Sequence, residues 1–159
     1  MNETLLRLLE DNARLTNDEL AAMTGMTPDA VAAELAALRK AGVILGYKTI
    51  VDWEKTDRDL CTARIEIKVT PKSGMGFEEI AETIARFEEV QSVYLMSGGY
   101  DLAVTVNGKS FKEVALFVAH RLAPLDSVES TATHFVLKKY KEKGVLAAGQ
   151  PEDQREAMG

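Results

Sequence analysis

Cysteine is almost missing from this chain. Cys61 stands alone, so no internal disulfide can form and no zinc-ligand spacing exists. That excludes a disulfide-stapled scaffold and suits a reducing cytoplasm. Histidine is nearly as scarce: His120 falls at the end of an expected helix and His134 on an expected strand. No nucleophile–base spacing, Walker loop or cluster of metal-ligating residues accompanies them. No catalytic residue and no metal ligand is assigned, and Cys61 reads as a small buried residue. No apolar run approaches the ~18 residues of a membrane span. The N-terminus shows no basic region followed by an apolar stretch and a cleavage site. A soluble, cytoplasmic protein without a membrane partner is expected. Positive charge is in deficit, with 19 Lys and Arg against 25 Asp and Glu, a net of -6. A generally sticky attraction to nucleic acid is thereby disfavoured, but a local groove-reading element is not.

What is present is organised around Val90 to Asn107, VQSVYLMSGGYDLAVTVN. Two apolar runs flank Ser97-Gly98-Gly99-Tyr100, which reads as a hairpin whose glycines accept positive φ. After the turn, Leu102, Val104 and Val106 share one face and Asp101, Ala103 and Thr105 the other. The first set reads as core. The second brings a carboxylate and a hydroxyl beside a turn whose N–H groups no side chain covers. Such a turn can hold a small polar ligand, or it can be a plain hairpin.

At 159 residues the chain suits one or two small domains with a real core. The leucines at 5, 6, 8 and 9 mark a short first helix. Thr16-x-x-Glu19 is a capping box opening a second, which Gly25 ends. Thr27-Pro28 opens a third, with Val31, Leu35 and Leu38 as its buried stripe and Gly42 as its stop. Ile44 to Asp52 then reads as a strand or small hairpin. Three helices followed by a β wing outline a winged helix-turn-helix over residues 1–52. A charged linker follows at 53–61, where Trp53 is expected to pack at the junction.

From Thr62 the order is β-α-β-β-α-β, a ferredoxin-like sandwich over 62–141. Ala63, Ile65, Ile67 and Val69 alternate with Arg64, Glu66 and Lys68. Phe77, Ile80, Ala81, Ile84 and Phe87 make one helix stripe. Ser110-x-x-Glu113 reads as a capping box before the stripe of Phe111, Val114, Ala115, Val118 and Leu122. Val128 to Lys139 reads as the last strand, and 142–159 as a mobile tail. The fold class is α+β, with both helices on one face of an antiparallel sheet. The bare face invites another subunit or a ligand.

The segments LRKAGVILGYKTIVD (38–52), SGGYD (97–101) and the Thr131-x-Thr133 strand together resemble the Lrp/AsnC (leucine-responsive/asparagine-responsive, feast/famine) regulators, over about residues 3–141. The resemblance implies a transcriptional regulator that binds double-stranded promoter DNA and needs no cofactor. It implies a homodimer assembling further, often to an octamer, through its C-terminal (RAM-type) sheets. It also implies an amino acid or related effector bound between subunits near the hairpin. On that pattern Ser97, Gly98, Gly99, Tyr100 and Asp101 fall in the effector site, with Thr131 and Thr133 adding hydroxyls. The turn's N–H groups would take the effector's carboxylate, and Asp101 its ammonium.

The third helix departs from the family's basic pattern, with Ala32, Ala33, Glu34, Ala36 and Ala37 at its middle. Residues 1–53 carry five basic and eight acidic side chains, a net of -3. Phosphate neutralisation supplies most non-specific affinity and Arg-to-guanine the commonest specific contact. Thr27, Ala30, Ala33, Arg39, Lys40 and Lys48 are the expected DNA contacts, and Asp29 or Glu34 could accept from cytosine. Two alternatives follow. One is a ligand-sensing assembly module with weak or lost DNA binding. The other is an enzyme like the sirohaem decarboxylases of similar architecture, whose His- and Arg-rich segment is replaced here by MSGGYDL.

Overall fold

A computed structural model describes residues 1–147 apart from Ser73 and Met75. The chain forms two compact units, Met1–Ile50 and a second beginning at Val51.

The first unit holds helices α1 (Glu3–Asp11), α2 (Asn17–Thr24) and α3 (Pro28–Lys40). Each starts where a side chain can satisfy orphan N–H groups. Asn2 Oδ1 accepts from Leu5 N. Thr16 and Glu19 form the full capping box: Glu19 N donates to Thr16 Oγ1 and Thr16 N to Glu19 Oε2. Thr27 Oγ1 accepts from Ala30 N, one residue after which Val31 begins the buried stripe. Gly25 and Gly42 end α2 and α3 at φ +71°, a conformation that L side chains rarely adopt. Leu5, Leu9, Leu20, Ala21, Val31 and Leu38 form the core, with Leu35, Met26 and Ile44 packed against it.

The strand or hairpin expected over residues 44–52 is not formed. Residues 44–52 contain no strand. A strand needs a ladder partner, and a lone ribbon is marginal in water. The apolar side chains of Val43, Leu45, Tyr47, Ile50 and Val51 therefore stand exposed, Leu45 at 93 %.

The second unit opens with a short 3₁₀ turn, Trp53–Lys55, followed by β1 (Cys61–Val69), α4 (Phe77–Ala85), β2 (Val90–Leu95), β3 (Leu102–Gly108), α5 (Phe111–Phe117) and β4 (Val128–Phe135). The linker is thus partly structured: Arg58 stacks over the Trp53 ring at 4.5 Å. The antiparallel sheet has the order β2-β3-β1-β4. Ala63, Ile65, Ile67 and Val69 join Leu102, Val104 and Val106 on one face, under Ile80, Ile84, Val114, Phe117, Val118 and Leu122. Of the expected second stripe Val114, Val118 and Leu122 are buried, the last two in a wide π turn at Val118–Leu122; Phe117 joins them, while Phe111 and Ala115 are exposed. Phe111 instead sits on the Phe135 ring at 4.6 Å. The Ser110 cap is half of the expected box. Ser110 Oγ accepts from Glu113 N, but the Glu113 carboxylate takes Lys109 N rather than Ser110 N.

The C-terminal end departs from expectation. β4 stops at Phe135, and β5 (Lys141–Glu142) pairs with β6 (Val145–Leu146). Lys143 and Gly144 turn this ribbon at φ 49° and 85°, the double left-handed turn that suits hairpin twist. Residues 142–147 are therefore structured where a tail was expected. The rest of that tail, from 148, lies outside the described residues.

Candidate functional site

The hairpin tip is built differently from its expected form. Met96 to Asp101 connect β2 to β3, closed by Met96 N donating to the Asp101 carbonyl at 2.8 Å. Neither Gly98 nor Gly99 has a positive φ. A connection of this length reverses gradually, so no residue is forced into the left-handed region. Nor does packing demand glycine: a Cβ at either position would meet nothing within 4 Å. Ser97, Gly98 and Gly99 are exposed, and Tyr100 and Asp101 half-buried.

Asp101 fastens this tip to β1. Its N–H donates to the Ile67 carbonyl at 3.0 Å. Its Oδ2 accepts from Val69 N at 2.8 Å. An ionised carboxylate offers about four acceptor positions, so capacity for a cation remains. Beside this end, Thr70 N donates to the Ser127 carbonyl at 2.9 Å and Thr70 Oγ1 to Glu129 Oε2 at 3.1 Å.

Thr131 and Thr133 are not brought to the tip within one chain. They pair with Ile67 and Ile65, so they share the helix-covered face at the sheet's β4 edge, half-buried. β1 lies between them and β3. The open face instead carries Arg64, Glu66 and Lys68, with Ala103 and Thr105 on one side and Ser130, Ala132 and His134 on the other. His134 Nε2 lies 3.7 Å from Glu66 Oε1 there. Tyr94, opposite Ala103, is half-exposed on the same face.

In the first unit Thr27, Ala30, Ala33, Arg39, Lys40 and Lys48 are all exposed. Thr27 spends its oxygen as the α3 cap, leaving its hydroxyl hydrogen to give. The Arg39 guanidinium lies 5.8 Å from the Tyr47 ring centroid. That contact links the end of α3 to the segment after it. Glu34 does not join this surface. Its carboxylate accepts the Asn2 N–H at 3.0 Å, so the expectation that it reaches a cytosine is corrected. Asp29 remains exposed in the first turn.

Other chemistry has little to work with. Among the described residues no group of three His, Cys, Asp or Glu side chains could hold a metal. Burial pushes the Cys61 thiol up from its ordinary value, which leaves it a poor nucleophile. Among the same residues, no helix is long and apolar enough to cross a membrane.

Comparison with known proteins bears on both units. Residues 62–146 match the Lrp/AsnC ligand binding domain, and residues 3–44 match a winged helix-turn-helix DNA-binding domain. The chain is 47 % identical to the HTH-type transcriptional regulator YugG of Bacillus subtilis, over 95 % of this chain and 92 % of that one. Its fold is similar to the regulator NMB0573 of Neisseria meningitidis, solved as an L-Met complex, with TM-score 0.70 at 23 % identity over 98 % and 99 % of the two chains. It is also similar to the feast or famine regulatory protein Rv3291c of M. tuberculosis, complexed with L-methionine, with TM-score 0.72 at 24 % identity over 88 % and 92 %.

Proposed function

Because this chain belongs to the Lrp/AsnC family of transcriptional regulators, with a helix-turn-helix DNA-binding unit and a ligand-binding domain, we propose that it senses an amino acid at the 97–101 turn and adjusts its assembly and promoter binding in response. The observation that carries this is the turn itself. Its two glycines are required neither by φ nor by packing within the chain, so their bareness serves something that approaches from outside. An effector carboxylate would take the turn's N–H groups and its ammonium the free Asp101 oxygen. Thr131 and Thr133, displaced from the tip of their own chain, would serve a site completed by a second copy. In this reading the effector is an amino acid like the one named with the two solved relatives, and no cofactor is needed.

The working unit is a homodimer that assembles to larger rings such as octamers. Supporting this are the bare sheet face and the exposed apolar side chains of residues 43–51, surface that a second copy would cover. We divide the chain functionally into a DNA-binding head (1–52), a linker (53–61), a sensing and assembly domain (62–141) and a C-terminal segment. The role is non-enzymatic and cytoplasmic.

Isothermal titration with a panel of amino acids tests the site. Wild type should give saturable heat with at least one of them, and Asp101→Asn should abolish it. Heat unchanged by the substitution removes Asp101 from the site. A second reading, an assembly module with little DNA binding, is favoured by the net charge of -3 over residues 1–53. Fluorescence anisotropy with a labelled duplex at low and moderate salt separates the two.

A further inference from the structure

The middle of α3 carries an acid that is tied inward rather than offered to DNA. Glu34 is three residues after Val31 and four before Leu38, both buried, so it lies on the inward stripe rather than among the exposed alanines. Its carboxylate accepts the Asn2 N–H at 3.0 Å, at the start of α1. That end of a helix carries orphan donors and partial positive charge, which a carboxylate satisfies. Asn2 completes the junction with its side chain. Oδ1 accepts from Leu5 N at 3.1 Å, capping α1, and Nδ2 donates to Met26 Sδ at 3.3 Å, in the turn between α2 and α3. One residue thus ties the start of α1 to the turn before α3 and to the centre of α3.

We infer that Glu34 and Asn2 are positioning residues for DNA recognition. They fix the tilt of α3 against α1 and turn its central negative charge away from the phosphates. The reading surface needs this more than most, because its outward residues are chiefly alanines. A methyl contact has value only at close fit, whereas a long basic side chain can adjust.

The sign of a charge-removing substitution tests the inference, which rests on DNA binding by the full chain. The probes are a duplex that the wild-type protein itself enriches from a random pool, and a scrambled duplex of the same length. An acid facing DNA repels phosphate, so removing it tightens binding to both. Glu34→Ala should instead weaken the enriched duplex about ten-fold, a factor within the range of a lost helix cap. Affinity for the scrambled duplex should change by less than about two-fold, since non-specific binding is insensitive to tilt and the charge removed faces α1 rather than DNA. Glu34→Gln keeps a carbonyl oxygen for the Asn2 N–H and should recover most of the loss. Asp29→Asn, the exposed acid of the same helix, should tighten the scrambled duplex.

Where Glu34→Ala fails to give a cooperative melt, Asn2→Ala and Glu34→Gln carry the test. Asn2→Ala should then weaken only the enriched duplex. Tighter binding by Glu34→Ala or Glu34→Gln, to the extent seen with Asp29→Asn, overturns the inference alone. A wild type that enriches no duplex overturns DNA binding itself and the inference with it.

Discussion

The Asp101 carboxylate accepts the Val69 N–H at 2.8 Å at the point where the pairing of β1 with β4 slips register, between Lys68 and Val69. The side chain continues the ladder past the last pair between β1 and β3, Ile67 with Leu102. Asp101 therefore holds the hairpin tip and the end of β1 together.

Substituting Asp101 has two separable consequences. Asp101→Ala leaves the Val69 amide without its partner, at a cost of about 1–3 kcal/mol, and should lower the thermal midpoint measurably. Asp101→Asn retains a carbonyl acceptor, so it should melt close to wild type while losing effector heat. Calorimetry on both variants checks this. Equal destabilisation by the two would mean that charge, not acceptance from Val69, holds the tip.

Glycines 98 and 108 should respond oppositely. A Cβ at Gly108 would lie 2.9 Å from Val114 Cγ2, so α5 or β3 must shift. Overpacking of that kind costs about 1–3 kcal/mol. A Cβ at Gly98 meets open space without backbone strain. Gly98→Ala should leave the urea midpoint unchanged or slightly raised, yet weaken effector binding. Gly108→Ala should lower the midpoint and leave effector affinity per folded chain intact.

Local signals in the sequence carried most of the fold. Thr16-x-x-Glu19 and Thr27-Pro28 start helices because the caps are complete within four residues. The alternation of Ala63 to Val69 matches its burial residue by residue. What depended on distant partners was not legible. Residues 44–52 have strand composition but no ladder within the described chain. Thr131 and Thr133 sit in a stretch, VESTATHF, whose middle is small or polar on both faces. Only pairing with β1 reveals that they share the face of Ile67 and Ile65. Lys143-Gly144 was a readable turn signal, but two-residue strands have no periodicity to support it. Glu34 read as a surface acid because Asn2 is 32 residues away in sequence.

Leu45 offers a test of assembly. At 93 % exposure it contributes almost nothing to the fold of its own chain. Leu45→Asp should therefore leave the melting midpoint of a dilute sample within the roughly 0.5 kcal/mol of an ordinary surface change. In a second copy's interface the same carboxylate is buried without a partner, which is costly. Analytical ultracentrifugation should show the variant shifted to smaller species than wild type. An unchanged distribution would exclude residues around Leu45 from the interface.

Salt should weaken DNA binding about a thousand-fold between 50 and 200 mM. The exposed basic side chains expected to meet DNA are Arg39, Lys40 and Lys48 in each chain. A dimer would neutralise about six phosphates, giving a slope of log K against log salt near -5. The acidic side chains of residues 1–53 add no further release of counterions. Arg39 should count most, because its planar guanidinium can bind two acceptors at once and is steered by the Tyr47 ring. Arg39→Ala should reduce the slope by about two in the dimer and loosen the enriched duplex more than Lys48→Ala does. A slope much steeper than -5 would require further basic residues, and Arg7 and Arg14 of the head, then Arg64 and Lys68 on the open sheet face, would be the next to substitute.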